Sequence, residues 1–101
     1  MSGVVVIVKY QSLPNQFENA KREISELVKI VLSKEPECSG ITLLQDSNDP
    51  TRFTLIENWP SQELFLGPHM QQAHIRSFIQ GAGRFLAGPP DITFSQAVSV
   101  T

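Results

Sequence analysis

Apolar and polar residues change rhythm several times along the chain, and each change marks an element. Val4 to Tyr10 is dominated by β-branched residues and predicts a strand. Ser12 to Asn15 reads as a turn. From Phe17 the period lengthens. Phe17, Ala20, Ile24, Leu27, Val28, Val31 and Leu32 fall on one helical stripe, while Glu18, Arg22, Glu26 and Lys29 occupy other faces at spacings that allow pairing. Glu35, Pro36 and the loop to Gly40 stop that helix. Ile41–Asp46 and Arg52–Trp59 are two further strands around the polar turn Asp46-Ser47-Asn48-Asp49-Pro50, so they pair as an antiparallel hairpin. Pro60, Ser61 and Gln62 open a short helix through Leu66, which Gly67 and Pro68 interrupt. A second helical segment starts at Pro68, with Ile75, Phe78, Ile79, Ala82, Phe85 and Leu86 as its stripe. Gly81 and Gly83 weaken that segment by about 1 kcal/mol each relative to Ala, an effect that close packing against another backbone would offset. Gly88, Pro89 and Pro90 end it, and Asp91 to Val98 is a fourth strand.

The order β-α-β-β-α-β predicts an α+β fold of the ferredoxin-like kind, with both helices on one face of a four-stranded antiparallel sheet. The other face would meet water, and a wetted face should be polar. It is not. Val4, Val6 and Val8 point one way and Val5 and Ile7 the other. Phe53 and Leu55 oppose Ile56, Ile41 and Leu43 oppose Leu44, and Ile92, Phe94 and Val98 oppose Ala97. Two apolar faces need covers and the helices supply one. The expectation is a homodimer packed through the open sheet face across a two-fold axis, forming a dimeric α+β barrel.

The 101 residues suit one domain, spanning 1–101. A hydrophobic fraction of 41% is too high for a disordered chain. Charged residues, at 18%, are scarcer than in an ordinary soluble protein, which fits a surface covered by a partner. Eight Lys and Arg against ten Asp and Glu leave no basic excess, so nucleic acid is not an expected partner. The single cysteine, Cys38, excludes an intramolecular disulfide and fits a reducing compartment. The longest apolar run, Val4 to Val8, is far below the ~20 residues that span a bilayer. There is no signal-peptide pattern at the start, and Ser2 rules out myristoylation. The expectation is a cytoplasmic protein with no membrane partner.

No phosphate-binding glycine loop, zinc spacing or nucleophile elbow is present, so no metal is expected. Cys38 has no local base beside it and reads as a small loop residue. His69 and His74 are the best candidates for chemistry. Five residues apart, they would diverge by about 140° on a regular helix and so would not ligate one metal. The Gly67-Pro68 break puts His69 at a helix start, and His74 lies at the edge of the apolar stripe. Both suit proton transfer near neutral pH, the alternative being a hydrogen-bonded core role. Trp59, ending the third strand, either packs at the rim or stacks on a flat aromatic ligand. Phe53, Leu55 and Phe78 would line a pocket between helices and sheet. Arg76 is either solvated or holds an anionic substrate, and Arg84 lies on a solvated face.

Several stretches together carry a resemblance: Phe53-Thr54-Leu55-Ile56-Glu57-Asn58-Trp59-Pro60-Ser61, then His69, His74 and Leu86-Ala87-Gly88-Pro89, with Glu35-Pro36-Glu37-Cys38-Ser39-Gly40 upstream. Over residues 4 to 98 the chain resembles the antibiotic biosynthesis monooxygenase family, small dimeric α+β barrel proteins. The resemblance implies a monooxygenase that oxidises a small aromatic quinol or phenol with molecular oxygen and no bound cofactor. The substrate is then the reductant. A base removes a phenolic proton and the electron-rich anion reacts with oxygen, while the protein supplies orientation, dryness and anion stabilisation. Trp59 would be the pocket aromatic, and His69 or His74 the base or anion partner. Related quinol oxidisers also place an Asn or Tyr in the pocket; Asn58 alternates away from Trp59, and Tyr10 ends the first strand. A second branch of such proteins degrades haem with a Trp, a His ten residues later as iron ligand, and an Asn in the first strand. Trp59 and His69 have that spacing, but the first strand has no Asn. A third branch isomerises a phosphorylated sugar derivative and carries two His five apart. A non-catalytic ligand-binding dimer is the remaining alternative.

Overall fold

The computed structural model describes residues 3–99. Four strands, β1 (Val4–Gln11), β2 (Gly40–Gln45), β3 (Arg52–Trp59) and β4 (Asp91–Ser95), form one antiparallel sheet in the order β2-β3-β1-β4, the ferredoxin-like order. Helix α1 (Phe17–Lys34) joins β1 to β2. Between β3 and β4 run α2 (Gln62–Leu64), a π-helical turn (Phe65–His69), α3 (Ala73–Gly81) and a 3₁₀ turn (Ala82–Arg84). The β2–β3 hairpin closes on the Asp46 carboxylate, which accepts the backbone N–H groups of Asn48 and Asp49 at 2.7 and 3.0 Å, the way Asp stabilises turns.

The strand pleat divides the sheet. Val4, Val6, Val8 and Tyr10 on β1 and Phe53, Leu55, Glu57 and Trp59 on β3 face the helices, in a register that sets Val4 opposite Trp59, Val6 opposite Glu57, Val8 opposite Leu55 and Tyr10 opposite Phe53. Ala20, Ile24, Leu27 and Val31 of α1 and Ile75 of α3 join them in the buried core, with Cys38, Phe65, Phe85 and Leu86. Leu32, at the edge of the helical stripe, is exposed. On the opposite face one ladder row crosses all four strands as Thr42, Ile56, Ile7 and Thr93. Val5, Ile7 and Ile56 are half-buried there and Leu44 is exposed. The described residues leave this apolar centre without a cover from their own chain.

Three local expectations change. Gly67 and Pro68 do not break the helix; they lie inside the π-helical turn. Pro68 has no N–H to donate and its ring would clash with the carbonyl four residues earlier, and the widened turn relieves both problems without ending the helix. The break falls at Gln72, whose ψ of 141° is extended. Secondly, β4 stops at Ser95, and Val98 is fully exposed beyond it. Thirdly, no backbone approaches Gly81 or Gly83. A Cβ on Gly83 would meet nothing within 4 Å, and one on Gly81 would meet only the movable end of Arg84.

Candidate functional site

The inward row of β3 decides the site. Period two carries Phe53, Leu55 and Trp59 to the helix side, and it carries Glu57 there with them, only 4% exposed. The Trp59 indole N–H donates to Glu57 Oε1 at 2.8 Å. Against the indole lies the His69 imidazole, with ring centroids 4.6 Å apart. Phe65, from the same π-helical turn, stacks on the imidazole at 4.8 Å and meets the indole edge-on at 5.8 Å, so the three rings contact one another. His69 thus packs in one cluster with two aromatic rings.

Its orientation is fixed by Glu35, the residue that ends α1. The Glu35 backbone N–H closes on Val31 O, and its carboxylate is buried, at 3% exposure. His69 Nδ1 donates to Oε1 at 2.8 Å and His74 Nε2 to Oε2 at 2.6 Å. One carboxylate therefore accepts from two imidazoles. The divergence expected of residues five apart on one regular helix does not apply, because the extended Gln72 separates the segment of His69 from that of His74. A carboxylate behind an imidazole selects its tautomer and stabilises its cation, the arrangement that makes histidine an effective base.

Beside this cluster a cavity of about 550 Å³ opens between the helices and the sheet. Most of its wall is apolar, including Val8, Leu27, Leu55, Phe78 and Ile92, and the chain from Gly88 to Pro90 closes one side. Three polar side chains line it: Tyr10, Glu57 and His69. The Tyr10 hydroxyl, Glu57 Oε2 and His69 Nε2 have no hydrogen-bond partner among the described residues, yet none of the three is sealed off. Burial pushes the Glu57 carboxyl above its ordinary range, against the pull of the Trp59 hydrogen bond and of His69. Burial, and then the Glu57 charge, pushes the Tyr10 phenol well above its ordinary value. Burial also raises the Cys38 thiol, so that residue is a poor nucleophile.

The candidates from the sequence divide accordingly. His69, Leu55 and Phe78 line the cavity. Trp59 does not; it backs the wall, fixing Glu57 and His69 instead of meeting a ligand. Phe53 is sealed in the core at 1% exposure and does not line the cavity. His74 opens instead to a smaller groove between α1 and α3, with Glu23, Glu26, Ser77 and Arg84. Arg76 is exposed, one position past the buried Ile75 and turned away from the sheet. Asn58 is exposed on the open face. Glu35 and Glu57 were not singled out by sequence reasoning. For Glu57 a signal existed, a carboxylate inside an otherwise apolar alternating row; for Glu35, whose partners lie 34 and 39 residues away, there was none. Among the described residues no group of three or more His, Cys, Asp or Glu side chains is arranged to hold a metal ion, and no helix is long and apolar enough to cross a membrane.

The model of the antibiotic biosynthesis monooxygenase family matches residues 3–81, and the chain belongs to that family. The PA3566 protein of Pseudomonas aeruginosa shares the fold at a TM-score of 0.86 and 24% identity, over 98% of this chain and 97% of its own. A Nitrosomonas europaea protein provisionally named an antibiotic biosynthesis monooxygenase gives a TM-score of 0.84 at 22% identity, over 96% and 91% of the two chains. The Rv0793 protein of Mycobacterium tuberculosis gives 0.82 at 17%, over 98% of each. At such identities the likeness is one of fold. No curated protein matches the chain significantly.

Proposed function

We propose that the protein is a homodimeric monooxygenase that oxidises a small hydroxylated aromatic, a quinol or phenol, in the cavity beside His69. The observation that carries this reading is a buried imidazole that lines an apolar cavity, its Nδ1 anchored on Glu35 at 2.8 Å and its Nε2 unsealed and without a partner among the described residues. Such an imidazole accepts a phenolic proton at Nε2, and Glu35 stabilises the resulting cation. The phenolate is then the electron source. One ring C–H and one phenolic O–H supply two hydrogens and four electrons, and molecular oxygen becomes one carbonyl oxygen and one water. The apolar wall excludes bulk water from the anion while it reacts.

Two occupants implied by the wider resemblance fit the lining poorly. Haem brings two carboxylates and a sugar phosphate brings a dianion, yet among the described lining residues there is no Lys or Arg, and Glu57 adds a further acid. His69 has a free ring nitrogen suited to iron, but this lack of cations beside it speaks against haem. The dimer reading rests on the apolar row through Ile56 and Ile7, which no part of the described chain covers.

Oxygen uptake measured with a panel of quinols and naphthols tests the activity. Expected is turnover that chelators leave unchanged and that His69→Gln lowers by about 10²–10⁴-fold, the range of a lost general base. Uptake that ignores His69→Gln, or no uptake with any member of the panel, contradicts it.

A further inference from the structure

We propose that Glu57 is a second hydrogen-bonding pole of the cavity, so that the site selects aromatic hydroxyl compounds carrying another oxygen on a neighbouring position over those with a single oxygen. The proposal rests on the cavity being a site for hydroxylated aromatics. Glu57 lines the cavity and is only 4% exposed; its Oε1 is occupied by the Trp59 indole N–H at 2.8 Å, whereas Oε2 has no partner among the described residues and is not sealed off. A polar atom that keeps access to a cavity and has no protein partner is suited to a ligand atom. His69 Nε2 is the other bare atom at that end.

Both groups rest against the same indole, Glu57 by its hydrogen bond and His69 at 4.6 Å between ring centroids. That proximity suits two oxygens on adjacent or peri positions of a flat ring, not two at opposite ends of a long molecule. Tyr10 enters the cavity from further along the ladder, opposite Phe53 where Glu57 stands opposite Val6. Burial favours the acid form of Glu57, whose O–H then donates to the second oxygen while His69 accepts from the first.

Binding of 1,8-dihydroxynaphthalene and of 1-naphthol, measured anaerobically by calorimetry, tests this. One additional buried hydrogen bond predicts about a tenfold preference for the diol. Glu57→Gln keeps an acceptor for Trp59 and a donor for the ligand, so it retains the preference. Glu57→Met abolishes it while 1-naphthol still binds. Should Glu57→Met fail to fold, the wild-type protein decides: about tenfold tighter binding of 8-methoxy-1-naphthol than of 8-methyl-1-naphthol supports the donor role, and equal binding overturns it. Equal wild-type affinity for diol and naphthol, a preference surviving Glu57→Met, or one lost in Glu57→Gln also overturns it. If the two compounds bind equally while oxygen uptake depends on His69, only the Glu57 assignment fails; if neither binds, the reading of the cavity fails with it.

Discussion

Replacing Glu35 by Ala removes the acceptor of two buried hydrogen bonds, at 2.8 and 2.6 Å, in one step. His69 is 4% exposed and the His74 side chain 10%, so neither imidazole can turn its freed N–H fully to water. Hydrogen bonds to a charged partner contribute about 1.5–3 kcal/mol each, and breaking a buried charged cluster by deleting one member costs about 3–5 kcal/mol. We take about 4 kcal/mol, a large part of the 5–15 kcal/mol that holds a typical domain together. For a chain of this length that is a fall in Tm of about 15–30 °C. Urea unfolding followed by far-ultraviolet circular dichroism and by the fluorescence of Trp59, the one tryptophan, measures it directly. A double-mutant cycle with His74→Phe then separates the two arms, because the cost of Glu35→Ala should shrink once one imidazole is gone. A loss below about 1 kcal/mol, the worth of an exposed ion pair, would refute the claim that this carboxylate ties α1 to the segments carrying the two histidines.

Glu57→Gln should change the pH dependence of stability. The folded carboxyl holds its proton more tightly than the unfolded one, so wild-type stability is undiminished below the unfolded value near 4.5 and declines as pH rises toward the raised folded value. The variant, lacking this loss, gains on wild type between pH 4 and neutrality and not below; parallel urea midpoints across that range would count against it. Tyr10, the one tyrosine, should show no phenolate absorbance on alkaline titration until the chain unfolds. Ile7→Lys, at the centre of the open sheet face, should convert a species of twice 11.2 kDa into a folded one of 11.2 kDa by sedimentation equilibrium; a wild-type chain already at the lower mass removes the dimer. Gly81→Ala should stabilise by about 0.5–1 kcal/mol through helix propensity, since only the Arg84 side chain need move.

How much of this could be read beforehand depends on how local each signal is. The bounds of α1 and β3, and the outward place of Ile56, follow from periodicity within a single element, and the structure keeps them. The segment from Pro60 to Gly88 was harder. Gly67-Pro68 is an ordinary helix stop, and only packing of Phe65 and His69 against Trp59 makes a widened turn there worth forming. The end of β4 was overextended because Ala97 and Val98 continue the apolar pattern past Ser95, where pairing with β1 ceases. The Glu35 contacts join residues far apart in sequence. They depend on where the break after His69 falls, and no pattern within one element carries that information.

That break acts as a phase shifter. A regular helix through both residues would send the two imidazoles to different sides of the rod; one straightened residue between them brings them back to a common anchor. The stretch between the rings therefore works as a calibrated spacer. Adding or removing a single residue from it would uncouple the pair, so its length carries more meaning than its composition.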